Sequence, residues 1–206
     1  MKYIIKSDEP QKFVAWKALA NEVWQPTYAV LRGEEKDAVK NALMEEQGFI
    51  CCYCECKLNK KDSHIEHVIP QSEDDNLSLD FTNMACSCQR PKEKRLPLHC
   101  GNKKGEWYAQ TLFVSPYDPD CEQCFFFTND GHIYPTEYRN EAAKETISHL
   151  GLDIPKLVAL REAAIAPFQD ESLTADELQE FAIKYLERTP QGTFNEFWTT
   201  IKYLFA

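Results

Sequence analysis

Residues 49–107 read FICCYCECKLNKKDSHIEHVIPQSEDDNLSLDFTNMACSCQRPKEKRLPLHCGNKKGEW. Seven of the nine cysteines and three of the five histidines fall in this stretch. Cys51 and Cys54 stand in a C-x₂-C spacing, which lets two thiolates point at one tetrahedral Zn²⁺. The other half of such a site must come from Cys86, Cys88 or Cys100. The preferred quartet is Cys51, Cys54, Cys88 and Cys100, with Cys86 as the alternative to Cys88. A four-thiolate zinc site is closed and adds folding energy rather than chemistry. A thioredoxin-like redox pair would need a βαβ context, which is absent here.

The second feature is His64-Ile65-Glu66-His67, followed by Asn83. On a strand, alternation puts His64 and Glu66 on one side and His67 on the other. Glu66 can then face a hard divalent cation, Mg²⁺ or Mn²⁺, shared with an imidazole. A neutral imidazole is a natural general base near pH 7, the role assigned to His67. Asn83 can hold a loop or an imidazole in place through hydrogen bonds. Extra zinc ligands or plain surface histidines are the alternative reading.

The whole chain of 206 residues fits one domain or two small ones, and its 43% hydrophobic content supports a core. No apolar run approaches the ~20 residues of a membrane helix, and the N-terminus turns polar too early for a secretory signal. A cytosolic protein with reduced, metal-binding cysteines is the expectation. The net charge of −10 is uneven. Residues 111–206 hold 16 acidic and 7 basic groups, whereas residues 89–105 hold Arg90, Lys92, Lys94, Arg95, Lys103 and Lys104 against Glu93. Arg90, Arg95, Lys103 and Lys104 are therefore candidates for phosphate-backbone contact.

Apolar periodicity predicts helices over 10–24 (Phe13, Trp16, Ala20, Val23) and 34–47 (Val39, Ala42, Leu43), the second closed by Gly48. Asp130-Gly131 between aromatic runs predicts a hairpin. Further helices are expected after Asn140 (to Gly151), from Pro155, and after capping boxes at Thr174/Glu177 and Thr193/Glu196. Cys121 and Cys124 are a second close pair, read as buried small hydrophobes or a second metal site. The expected class is α+β, in three segments: helical 1–48, the metal-rich 49–110, and a hairpin with helical scaffold over 111–206.

The stretch resembles the HNH, or ββα-metal, endonucleases. Glu66-His67-Val68-Ile69-Pro70 matches their motif, which makes His67 the general base and Glu66 a metal ligand. Asn83 matches the central asparagine. The resemblance implies a zinc-stabilised ββα-metal core inside a mainly helical protein. The late C-N-x-x-K-G element is matched by Cys100–Gly105, except that Gly101 cannot be a ligand. His99, Asn102 or His64 is left to supply the second catalytic-metal ligand. YIIK, QGFICCYC, HIEHVIP, HCGNKKGEW and SPYDPDC are similar to the PtuB nuclease subunits of bacterial Septu and retron-associated antiphage systems. That likeness implies an ABC/SMC-type ATPase partner of the PtuA kind, docked by the C-terminal helices or the first helix. A retron version further implies a reverse transcriptase and its multicopy single-stranded DNA. DNA is the default substrate. An RNA such as tRNA, or a non-cutting zinc adaptor for the ATPase, are the rivals.

Overall fold

The computed structural model describes residues 1–89, 97–170 and 172–206. The fold is α+β. Two helices come first: α1 (Gln11–Lys17) and α2 (Gly33–Glu46). β1 (Ser63–His67) pairs antiparallel with β2 (Met84–Cys88), with His64 opposite Ser87 and Glu66 opposite Ala85. A single helical turn, α3 (Gly101–Lys104), follows. A hairpin of β3 (Phe125–Phe127) and β4 (Ile133–Pro135) leads to α4 (Asn140–Leu150), α5 (Pro155–Ile165), α6 (Ala175–Leu186) and α7 (Trp198–Phe205). Among the described residues no helix is long and apolar enough to cross a membrane.

α1 is shorter than the 10–24 expected. It stops at Lys17, and the Asn21 side chain accepts from the backbone N–H of Val23 and Trp24. This Asn-centred turn competes with helix. It swings Trp24 back edge-on against Trp16, ring centroids 5.7 Å apart, and leaves Val23 in solvent. α2 ends as expected, with Gly48 at φ +61°, where Phe194 packs too closely to admit a Cβ.

Gln47, just past α2, is buried and exchanges two hydrogen bonds with the Cys86 backbone, at 2.8 and 2.6 Å. That bond pair ties α2 to β2. Residues 50–57 form a tight knuckle, with an isolated bridge between Ile50 and Lys57 and a 2.8 Å bond from Cys51 N–H to the Cys56 carbonyl. One core runs from Met1 and Phe13 through Val39, Leu43, Met84, Phe113 and Phe125 to Leu157. A small second cluster of Ile165, Phe168, Ala182 and Ile201 holds the C-terminal helices.

The hairpin forms as expected, with Gly131 at φ +82°. Thr174 and Glu177 make a full capping box on α6. Thr193 and Glu196 do not repeat it. Glu196 instead accepts from the Lys57 N–H at 2.7 Å, Thr193 pairs with Thr189, and α7 starts only after Phe197. Asn140 is the first helical residue of α4 rather than its cap; its side chain donates to the Thr136 carbonyl at 2.9 Å.

Candidate active site and metal centre

The knuckle brings Cys51 and Cys54 against Cys88 at the end of β2 and Cys100 just before α3. Their four sulfurs lie within 4.8 Å of one another and are buried. Cys54 and Cys88 are 3.7 Å apart. Sulfurs around a tetrahedral zinc with bonds of about 2.3 Å stand about 3.8 Å from each other. The quartet can therefore hold a metal ion such as zinc. Among the described residues no other group of three or more donors meets so closely. Cys86 is buried but stands outside the quartet, and so are Cys121 and Cys124.

His99 belongs with these sulfurs. Its Nδ1 is 3.1 Å from Cys100 Sγ and 3.7 Å from Cys88 Sγ, and its Nε2 is buried without a hydrogen-bond partner among the described residues. Asn102 donates to the Gln89 carbonyl at 2.9 Å. The imidazole found beside Glu66 is that of His64, with Nε2 3.3 Å from Glu66 Oε2. His64 Nδ1 faces the Gln89 carbonyl at 2.7 Å. That carbonyl takes the Nδ1–H, and Nε2 reaches Glu66 through its own proton; once that proton is lost, the Nε2 lone pair is open to a cation. One carboxylate oxygen and one imidazole nitrogen side by side fit a divalent cation such as Mg²⁺ or Mn²⁺.

Glu66 is 6% exposed yet stays charged. Burial opposes its ionisation, but the His64 hydrogen bond and the Lys104 charge outweigh that and hold its pKa below the ordinary value. Burial works against protonation of His64, while the bond to Glu66 and its charge prevail and raise the pKa. Tyr53, between the knuckle cysteines, donates to Glu66 Oε1 at 3.1 Å. In the sequence Tyr53 carries one signal, its place inside the C-x₂-C spacing.

His67 lies on the other face of β1. Its Nε2–H donates to the Ser78 carbonyl at 3.0 Å, and the Gln71 amide lies 3.2 Å from Nδ1. Tyr28 packs edge-on against the ring at 4.5 Å. Burial lowers the His67 pKa, so the ring is neutral near pH 7 with a lone pair on Nδ1. Asn83 is buried, accepts from Ile69 N–H at 2.8 Å and donates to the Ile69 and Leu77 carbonyls at 2.9 and 3.4 Å. It thus closes the 69–78 loop that carries Ser78 and Gln71.

The basic candidates divide. Lys104 is not a surface cation. Its side chain is 1% exposed, 3.1 Å from Glu66 Oε1, because α3 lies directly on β1. Lys103 is exposed. Arg90 and Arg95 lie outside the described residues.

No protein-family model matches the chain. Over 137 residues it is 34% identical to a Vibrio cholerae (serotype O1 biovar El Tor) protein named "Retron Vc95 putative HNH endonuclease", covering 63% of this chain and 64% of that one. Over 87 residues it is 31% identical to the "Septu protein PtuB" of Bacillus thuringiensis, covering 41% of this chain and 26% of that one. Both named proteins are of the retron and Septu kind that the sequence motifs resemble. The chain spans 64% of the first relative's length and about a quarter of the second's.

Proposed function

We propose that this chain is a metal-dependent HNH endonuclease that hydrolyses phosphodiester bonds, with β1, β2 and α3 as its ββα-metal core. The observation that carries the reading is the His67 imidazole. Its Nε2–H is bonded to a backbone carbonyl, so Nδ1 is the accepting nitrogen, taking a 3.2 Å hydrogen bond from the exposed Gln71 amide where a water could take its place, one residue from a buried, charged Glu66 beside His64. An imidazole fixed in this tautomer is built to accept a proton.

Water takes the place of the Gln71 amide at His67 Nδ1, gives its proton to that nitrogen and attacks phosphorus, and the ester P–O bond to the 3′ oxygen breaks, the leaving oxygen taking a proton from solvent. The Ser78 carbonyl then stabilises the imidazolium through the Nε2–H. Asn83 keeps the 69–78 loop closed, so Ser78 stays beneath the ring. Glu66 and His64 would hold Mg²⁺ or Mn²⁺, which supplies Lewis-acid stabilisation of negative charge on the phosphate. Cys51, Cys54, Cys88 and Cys100 would hold Zn²⁺ as a structural ion. Lys103, with Arg90 and Arg95, supplies backbone-phosphate contact.

DNA is the favoured substrate, since this chemistry needs no 2′-OH. The named relatives support a place in Septu or retron antiphage defence, with a PtuA-like ABC/SMC-type ATPase that brings nucleic acid to an acidic nuclease. A reverse transcriptase with its multicopy single-stranded DNA is the partner implied by the retron likeness.

The test uses protein co-produced with its genomic neighbours, supplied with ATP. Wild type and His67→Ala are incubated with plasmid DNA and total tRNA, with Mg²⁺, Mn²⁺ or EDTA. Metal-dependent cleavage by wild type and its loss in a folded H67A protein are expected. Consumption of tRNA in place of plasmid would make the chain a ribonuclease. Full activity of H67A would remove the general base, and no cleavage by the zinc-loaded complex would leave an adaptor.

A further inference from the structure

α3 contributes something other than a metal ligand. A Cβ on Gly101 would lie 2.3 Å from Glu66 Oε2 and 2.7 Å from His64 Nε2. Only glycine lets the α3 backbone lie this close to the pair. One turn on, the same face of α3 carries Lys104. Its ammonium donates to the His67 carbonyl at 3.1 Å and meets Glu66 Oε1 at 3.1 Å. Oε1 also accepts from Tyr53, so this oxygen is engaged twice, while Oε2 faces His64. The ammonium is buried, 6.0 Å from the Phe113 ring centroid, and has no route to a substrate phosphate without leaving Glu66.

We propose that Lys104 is a fixed internal cation: a positioning residue that holds Glu66 and the His67 backbone together, reserves Oε2 for the divalent ion and weakens that ion's binding. This rests on Glu66 and His64 being the cation pair. Opposite charge on Oε1 fixes the carboxylate, and like charge beside the site repels a second cation; both effects are strong at low dielectric. The site thereby keeps Glu66 oriented before any divalent ion arrives.

A purely structural lysine and a resident cation predict opposite results. Mn²⁺ binding to the full chain is measured by electron paramagnetic resonance for wild type, Lys104→Met, Lys104→Arg and Glu66→Gln, with zinc content determined alongside. Resident charge predicts binding about fivefold tighter in K104M, within twofold of wild type in K104R, and zinc unchanged. Equal or weaker Mn²⁺ binding by zinc-replete K104M overturns the proposal. If K104M fails to fold, the wild type decides. On Mg²⁺ titration, the ¹⁵Nζ resonance of Lys104 shifts together with the His64 imidazole signals if the proposal holds. A shift of His64 alone overturns it. Wild-type Mn²⁺ affinity in E66Q instead removes the cation pair itself, a failure of the functional reading rather than of Lys104 alone.

Discussion

At the scale of single residues, His67 and Glu66 are neighbours in sequence with opposite electrostatic settings. Burial depresses the His67 pKa, whereas His64 and Lys104 keep Glu66 ionised in spite of burial. In the proposed role of general base, the neutral imidazole is the working form. The acid limb of kcat/KM should therefore lie below the free imidazole value of about 6.5 and leave the rate flat from there to neutrality. A pH–rate profile with its acid limb above 7 would contradict this. Stability follows the same groups. A lowered Glu66 pKa contributes stability above the unfolded carboxylate value, and that contribution disappears as pH falls through the folded value. Asn83 makes three hydrogen bonds from a buried position. Asn83→Ala strands the Ile69 N–H and C=O, so a loss of about 2–4 kcal/mol in urea unfolding is expected, with slower cleavage because Ser78 is no longer held under His67.

At the scale of elements, the knuckle, the β1–β2 pair and α3 depend on one another. Cys51 and Cys54 come from the knuckle, Cys88 from the end of β2, and Cys100 from the residue before α3. Cys100 N–H also donates to the Leu150 carbonyl at 2.7 Å, which joins α3 to the end of α4. A metal in the quartet would thus clamp α3, and with it Lys104, onto β1. Cys54→Ser, or chelation of the wild type, should lower the melting temperature by roughly 10 °C, as a loss of several kcal/mol does in a chain this size. Calorimetry with zinc quantification checks this.

At the scale of the whole molecule, the C-terminal half buttresses the site without lending it a catalytic group. Arg161 of α5 is buried and donates to the Gly131 carbonyl at 2.8 Å and to that of Leu152. These bonds link α5 to the β3–β4 turn and to the end of α4, which in turn holds Cys100. Gly131 must be glycine, because φ is +82° and a Cβ would lie 2.3 Å from the Val158 carbonyl oxygen. Gly131→Ala should cost more than about 2 kcal/mol from left-handed strain and the backbone clash together. Urea unfolding should show that loss, and a variant of wild-type stability would deny the contact.

The local signals were legible in the chain. The C-x₂-C spacing, the alternation of His64, Glu66 and His67, the Asp130-Gly131 turn and the Thr174/Glu177 box are short-range chemistry, and the backbone answers them within a few residues. Where local signals competed, sequence could not choose. Asn21 stops α1 against an apolar period that runs on to Val23, and Lys57 draws Glu196 away from its expected cap. Contacts between distant segments were decided only in tertiary structure: Tyr53 and Lys104 on Glu66, His99 beside the thiols, Ser78 under His67. Sequence by itself determined the chemical inventory of this protein, the paired thiols and the carboxylate between histidines. Packing alone decided which lysine is buried and which exposed. The reason is physical: the absent side chain of Gly101 lets α3 close on β1, and only that approach takes Lys104 out of water and against Glu66.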